Sequence, residues 1–222
     1  NANYKEMFAI ANSSRSSAEK YDLLSQYLDI PDFIDYMIVN YYVGNVDWAH
    51  QNWYATRSRY APENKWRYHS WDAEHVMEGL LSNNLNRNDD GGPTRLHHIL
   101  RQHPEYRRLF ADHVYAHFNN DGILTESRAR QIYGKLLQQV DRAVVGESAR
   151  WGDNHRNRPY TRNVEWVRER DWLLNTYFPG RGTVVLQQIH DQDLFPNVTA
   201  PLFLIDGAVQ HGGRISSGAA LS

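Results

Sequence analysis

Asn45-Val46-Asp47-Trp48-Ala49-His50-Gln51-Asn52, followed one strand-turn-strand later by Trp71-Asp72-Ala73-Glu74, is the stretch on which the reading of this chain turns. Asp47 and Asn52 stand five positions apart, and an acidic pair follows some twenty residues on. Phosphoryl transfer needs a carboxylate to orient the attacking hydroxyl and a few hard oxygen ligands to hold the metal that neutralises phosphate charge. Asp47 suits the first task, and Asn52 and Asp72 suit the second. Two or three side chains suffice, because Mg²⁺ keeps several of its waters.

The residues between these groups read as a hairpin. Asn52-Trp53-Tyr54-Ala55-Thr56-Arg57 and Lys65-Trp66-Arg67-Tyr68-His69-Ser70-Trp71 are aromatic-rich and strand-like, and Pro62, Glu63 and Asn64 supply the turn between them. Such a hairpin returns Asp72 towards Asp47 and Asn52.

Helical signals flank this unit. Ser16-Ser17-Ala18-Glu19 has the pattern of a capping box, opening a helix with Tyr21, Leu24, Tyr27 and Leu28 on its apolar face. A second helix is expected from Asp32, with Pro31 near its first turn, Phe33, Tyr36, Met37 and Tyr41 at helical spacing, and Gly44 as its stop. Two helices thus account for residues 1 to 46. Beyond the acidic motif, Asn83 to Pro93 is turn-rich and is expected to be a mobile loop near the site. Helices are predicted over 94–102, 104–118 and 125–147, the last with Ile132, Leu136, Val140 and Val144 as its packing face, and a final helix over 162–178. The fold class is α+β and mostly helical, with one functional hairpin.

At these residues the chain resembles the bacterial spore-coat (CotH-type) atypical protein kinases and their relatives in large secreted or surface proteins. The resemblance rests on Asn40-Tyr41-Tyr42-Val43-Gly44-Asn45-Val46-Asp47, Asn52-Trp53-Tyr54 and Trp71-Asp72-Ala73-Glu74, and it continues through Glu147-Ser148-Ala149-Arg150-Trp151-Gly152-Asp153 and Tyr160-Thr161-Arg162. It implies a kinase-like C-terminal lobe in which Asp47 is the catalytic aspartate, Asn52 a metal or phosphate-side ligand and Asp72 the principal Mg²⁺ ligand. Glu74 stands where the family's Trp-Asp-x-Asp motif carries a second aspartate, one methylene shorter. Asn45-Val46 stands where conventional protein kinases carry His-Arg. The implied reaction is transfer from ATP, with Mg²⁺ or Mn²⁺, to a hydroxyl, with protein Ser or Thr side chains as acceptors and an extracytoplasmic or cell-surface setting in a bacterium.

Such enzymes place a β-rich nucleotide lobe ahead of the catalytic loop, with a glycine-rich loop and a strand-borne lysine. Lys5 and Lys20 fall in or before helical segments without such a loop. Residues 1–196 are therefore read as a C-terminal lobe whose N-terminal partner lobe lies outside this sequence, with negligible kinase activity expected of the 222 residues alone. Residues 197–222, with Ala200-Pro201-Leu202-Phe203-Leu204-Ile205-Asp206-Gly207-Ala208-Val209, read as the start of a β-rich module or a tail.

Composition narrows the alternatives. The 222 residues are 41% apolar and 13% aromatic, enough for one buried core. A net charge of −2 gives no electrostatic case for nucleic acid, and no apolar run reaches the length of a membrane span. With no cysteine, thiolate chemistry and cysteine-based zinc sites are excluded. His113 and His117 have the i, i+4 spacing of a zinc pair, but Val114 replaces the glutamate of a metalloprotease motif and Asp112 alone completes no site, so a packing role is expected. His97 and His98 point to different helix faces. Glu147, Arg150, Trp151 and Asp153 read as a buried network bracing the lobe. Two further functions remain open: an inactive structural or binding lobe of a surface protein, and a glycoside hydrolase using Asp47, Asp72 and Glu74.

Overall fold

The computed structural model describes residues 2–61, 64–154, 156–196, 203–209 and 216–220. Its architecture is mostly helical with two small antiparallel sheets, in keeping with the α+β class. Helix α3 (Ile30–Val43) is the axis of the core. Nine of its 14 residues are buried, as in a helix packed on most of its circumference rather than along one stripe. Pro31 occupies its first turn, where a missing N–H costs nothing. At the other end Gly44 takes the left-handed conformation at φ 62°, and its N–H closes on the carbonyls of Asn40 and Tyr41. Any side chain there would also meet the Ser82 Cβ at 2.9 Å.

Two helices precede α3, pack on each other and share its core. In α2 (Ser17–Tyr27) the capping box forms as expected: Ser16 Oγ accepts from the Glu19 N–H at 3.3 Å, and the Ser16 N–H donates to Glu19 Oε2 at 2.9 Å. A further helix, α1 (Ala2–Ala11), also lies within the region read as two helices. It has no acidic residue in its first turn and no basic residue in its last, and it is held by burial of Met7, Phe8, Ile10 and Ala11.

The hairpin follows α3. Strand β1 (Trp53–Thr56) pairs antiparallel with β2 (Arg67–Ser70) in the register Trp53–Ser70, Tyr54–His69, Ala55–Tyr68 and Thr56–Arg67. Its base is tied to the α2–α3 junction: the Trp66 N–H donates to the Tyr27 carbonyl, the Asp29 N–H to the Trp66 carbonyl, and Arg67 pairs with Asp29 at 2.8 Å. Tyr68 is buried against Phe33, Tyr36 and Trp53. Of the expected turn, Pro62 and Glu63 lie outside the described residues.

Helices α4 (Pro93–Leu100) and α5 (Pro104–Phe118) follow, the latter packed on α3. His97 of α4 is buried among Tyr41, Tyr106 and Phe110, with Nδ1 hydrogen-bonded to the Tyr106 hydroxyl at 2.9 Å. Burial, with Arg101 and His98 adding to it, holds the His97 pKa down to about 3. An unfolded histidine titrates near about 6.5, so its contribution is complete above that pH. It is lost as pH falls, because the unfolded chain takes a proton that the folded chain refuses. From pH 6.5 to 4.5, His97 should remove about 2 kcal/mol of stability. Urea unfolding at the two pH values measures this, and His97→Gln should shrink the difference by that amount. An unchanged difference would mean that His97 is not the group responsible.

The C-terminal helices depart from expectation in three ways. Helix α6 (Glu126–Trp151) runs four residues past its predicted end and packs through Ala129, Tyr133 and Leu137, with Tyr133 against Phe178. The predicted stripe of Ile132, Leu136 and Val140 is exposed instead. Periodicity marks apolar stripes on a helix, but which of two neighbouring stripes is covered depends on the rest of the chain. The second departure is the charged-aromatic cluster: Glu147, Arg150, Trp151 and Asp153 are exposed rather than a buried brace, and Arg150 lies over the Trp151 ring at 5.0 Å.

The third departure is the helix predicted to end at 178. A π-type turn (Arg162–Trp166), α7 (Val167–Trp172), a second π-type turn (Leu173–Tyr177) and α8 (Phe178–His190) follow one another without a break in the helical backbone. Pro179 falls in the first turn of α8, directly after the wider π-type turn, where its ring is accommodated. Near the C-terminal end, β3 (Leu204–Ile205) pairs with β4 (Ala208–Val209) as a short hairpin, and the rest of the predicted β-rich segment lies largely outside the described residues.

Candidate active site

The loop after α3 is built from buried amides. Asn45, fully buried, donates through Nδ2 to Asn40 Oδ1 at 3.0 Å, while its N–H bonds the Asn40 carbonyl. Asn84 Nδ2 donates to the Asn45 carbonyl at 2.6 Å. Asn84 and the buried Leu85 therefore pin the polar segment that was expected to be a mobile loop. Gly92 lies so close to the Ala49 carbonyl that a Cβ would stand 2.4 Å from it, and this brings the start of α4 against the same loop.

Arg181 of α8 completes the support. It is fully buried, and its guanidinium donates to the carbonyls of Tyr42 through Nε at 2.7 Å, Tyr41 through Nη2 at 2.6 Å and Leu80 through Nη1 at 2.6 Å. The Tyr177 hydroxyl also donates to the Tyr42 carbonyl at 2.8 Å. A cation thus caps the negative end of the helix that leads into Asp47. Burial lowers the Arg181 pKa from its ordinary value, with Tyr177 and Tyr42 opposing that shift.

Asp47 and Asn52 come together as their spacing predicted: Asn52 Nδ2 donates to Asp47 Oδ2 at 2.7 Å. Asn52 adopts φ 58°, a left-handed conformation that asparagine tolerates, and its carbonyl accepts from the Trp71 N–H to close the hairpin base. The other Asp47 oxygen, Oδ1, is buried with no hydrogen-bond partner among the described residues. Leaving such an atom unpaired is costly, so it marks a place where a ligand belongs.

The acidic motif returns alongside. The Val46 N–H donates to the His75 carbonyl at 3.2 Å and the Met77 N–H to the Val43 carbonyl at 2.7 Å, which lays residues 75–77 against the loop. Asp47, Glu74 and His75 then offer ligand atoms within 4.8 Å of one another. Asp72, exposed and left-handed at φ 48°, stands outside this trio, so it is Glu74 that joins Asp47 here. His75 was not singled out in the sequence; its adjacency to Glu74 was the available signal. Its Nδ1 bonds Glu78 Oε1 at 2.8 Å, and that bond raises the His75 pKa.

The donor set fits Mg²⁺ or Mn²⁺ as far as it goes. Asp47 and Glu74 supply two hard oxygens, the number Mg²⁺ commonly takes from protein. The Asn52 side-chain oxygen accepts no hydrogen bond among the described residues and is a third candidate. The His75 imidazole belongs to a ligand class that Mg²⁺ does not favour. Around the site, Tyr54 stacks on His69 at 4.8 Å and meets Trp71 edge-on at 6.2 Å, giving an exposed aromatic border.

The family described as CotH kinase protein matches residues 1–174, which takes in the loop, the hairpin and the acidic motif. No curated protein and no solved structure matches the chain. With more than three quarters of its 222 residues matched, and with Asp47, Asn52 and Glu74 gathered at one place, the chain belongs to the CotH kinase family.

Proposed function

We propose that this chain is the acceptor-side, C-terminal lobe of an enzyme that transfers a phosphoryl group from ATP to a hydroxyl, with protein Ser or Thr side chains as the acceptors. The observation that carries the reading is Asp47: one carboxylate oxygen is clamped by Asn52, the other is buried with no partner among the described residues, and Glu74 offers a ligand atom within 4.8 Å of the carboxylate. The unpaired oxygen accepts the hydrogen bond of the attacking hydroxyl, fixes its direction and takes its proton as the bond to phosphorus forms. Asn52 holds the carboxylate in one rotamer, so the hydroxyl is aligned before reaction rather than during it. Glu74, with the Asn52 side-chain oxygen, would hold the Mg²⁺ or Mn²⁺ that arrives with ATP, and the ion would supply neutralisation of the phosphate charge.

Among the described residues no strand carries a lysine, and Lys5 and Lys20 lie on α1 and α2. Neither lysine is placed as the nucleotide clamp of a kinase, which on this reading would be the task of an N-terminal lobe. Calorimetric titration of MgATP into this chain and into a form extended upstream, each with Glu74→Ala as control, tests the proposal. Binding by the extended form that disappears on Glu74→Ala is expected. Absence of binding by both forms would replace the proposal with an inactive scaffold.

A further inference from the structure

His113 and His117, one turn apart on α5, were expected to serve packing, and Asp112 on the same helix gives them no third ligand. Asp112 is in fact engaged by Arg108 at 3.1 Å. The third group comes from α3. Asp35 Oδ1 accepts hydrogen bonds from His113 Nδ1 and from His117 Nε2, each at 2.6 Å. The three side chains are half-buried between the two helices, with exposures of 22% for His113, 25% for His117 and 44% for Asp35, so the cluster is desolvated yet open to an ion from solvent. Their ligand atoms lie within 4.8 Å of one another. Asp35 Oδ2 accepts no hydrogen bond among the described residues.

We infer that Asp35, His113 and His117 form a binding site for a Zn²⁺-class divalent transition metal, separate from the phosphoryl-transfer site and joining α5 to α3. Two imidazoles and one carboxylate are the ligand types that zinc takes, and three protein ligands leave a fourth position for water. Bonds of about 2.0–2.1 Å in a tetrahedral site separate ligand atoms by about 3.3 Å. The nitrogens need to move less than about 1 Å from the carboxylate oxygen, within the reach of side-chain torsions. The donor types also separate this site from Asp47 and Glu74, whose oxygens suit Mg²⁺. A metal here would fasten the helix that leads into the Asp47 loop, so occupancy should stiffen the support of the candidate active site.

Metal-free protein titrated with Zn²⁺ and Co²⁺ tests the inference. One ion per chain should bind, with the visible absorption of four-coordinate Co²⁺, and Zn²⁺ but not Mg²⁺ should raise the melting temperature. His113→Ala and His117→Ala should each weaken Zn²⁺ binding by more than the about 10–100-fold that losing an outer-shell partner costs. Glu74→Ala with His75→Ala should leave this binding in place. Absence of saturable Zn²⁺ binding by the wild-type protein would overturn the inference. So would unchanged affinity in a His117→Ala protein that keeps its helical circular dichroism, or loss of binding only in the Glu74/His75 variant.

Discussion

Arg181→Met will lower the stability of the chain by about 3–5 kcal/mol, because three hydrogen bonds from a charged donor, each contributing about 1.5–3 kcal/mol, are lost together and only part is offset by no longer burying the charge. The size follows from what the guanidinium leaves behind. Leu80 would lose its hydrogen bond, and Tyr41 and Tyr42 would keep only the Gly44 N–H and the Tyr177 hydroxyl. Each buried carbonyl left without a donor costs about 1–3 kcal/mol. Methionine fills much of the volume, so the loss reports the hydrogen bonds and the charge at the end of α3 rather than a cavity. Arg181→Lys keeps the charge but cannot reach three carbonyls at once, and should recover less than half of the loss. The measurement is the urea midpoint of each variant, followed by far-ultraviolet circular dichroism. A loss below about 1 kcal/mol for Arg181→Met would show that the three bonds do not hold the loop, since even a single neutral hydrogen bond contributes that much.

Much of this architecture was legible because it is local. Pro31 and Gly44 bracket α3, the Ser16–Glu19 box opens α2, and the alternating aromatic runs form β1 and β2. Each of those signals acts within a few residues of itself, where steric and capping rules have few competitors. The Asp47–Asn52 contact was legible for the same reason, being five residues long.

What escaped the sequence was long-range or depended on a choice between equivalent surfaces. Arg181 bonds a carbonyl 139 positions away, and no spacing rule links α8 to the end of α3. Asp35 and His113 are 78 positions apart, so the histidine pair looked incomplete until the packing of α5 on α3 supplied its third member. The helix predicted over 162–178 continues through Pro179, although proline usually interrupts a helix. The π-type turn before it made the difference, and periodicity carries no mark of such a turn. The Arg150–Trp151 cluster failed in the opposite sense: its composition suits a buried brace and an exposed helix end equally. That Glu74 and His75 form the cluster with Asp47 is of this kind too, since the left-handed backbone at Asp72 turns on the local path of the loop.

Asp47→Asn should reduce phosphoryl transfer by the full-length protein about 10²–10⁴-fold, the range for losing a positioned general base. That corresponds to about 2.7–5.5 kcal/mol of transition-state stabilisation. The substitution is nearly isosteric, so the loop, braced through Asn40, Asn45 and Asn84, has no steric reason to move. Only the charge and the basicity of the unpaired Oδ1 are removed. Its effect should therefore fall on kcat, with KM for ATP changed by less than about threefold, as expected of an interaction made in the transition state. Asn52→Ala offers a graded comparison. It leaves the carboxylate charged but unclamped, so it should cost less than Asp47→Asn and should do so through orientation. Steady-state assays of both variants at saturating Mg²⁺ separate these effects. If Asp47→Asn retains more than about a tenth of the wild-type kcat, well above the range for a lost base, then Asp47 is not the group that receives the proton. The buried, unpaired oxygen would then have to be explained as a metal ligand alongside Glu74, a role in which the same substitution weakens Mg²⁺ affinity instead of the turnover at saturation.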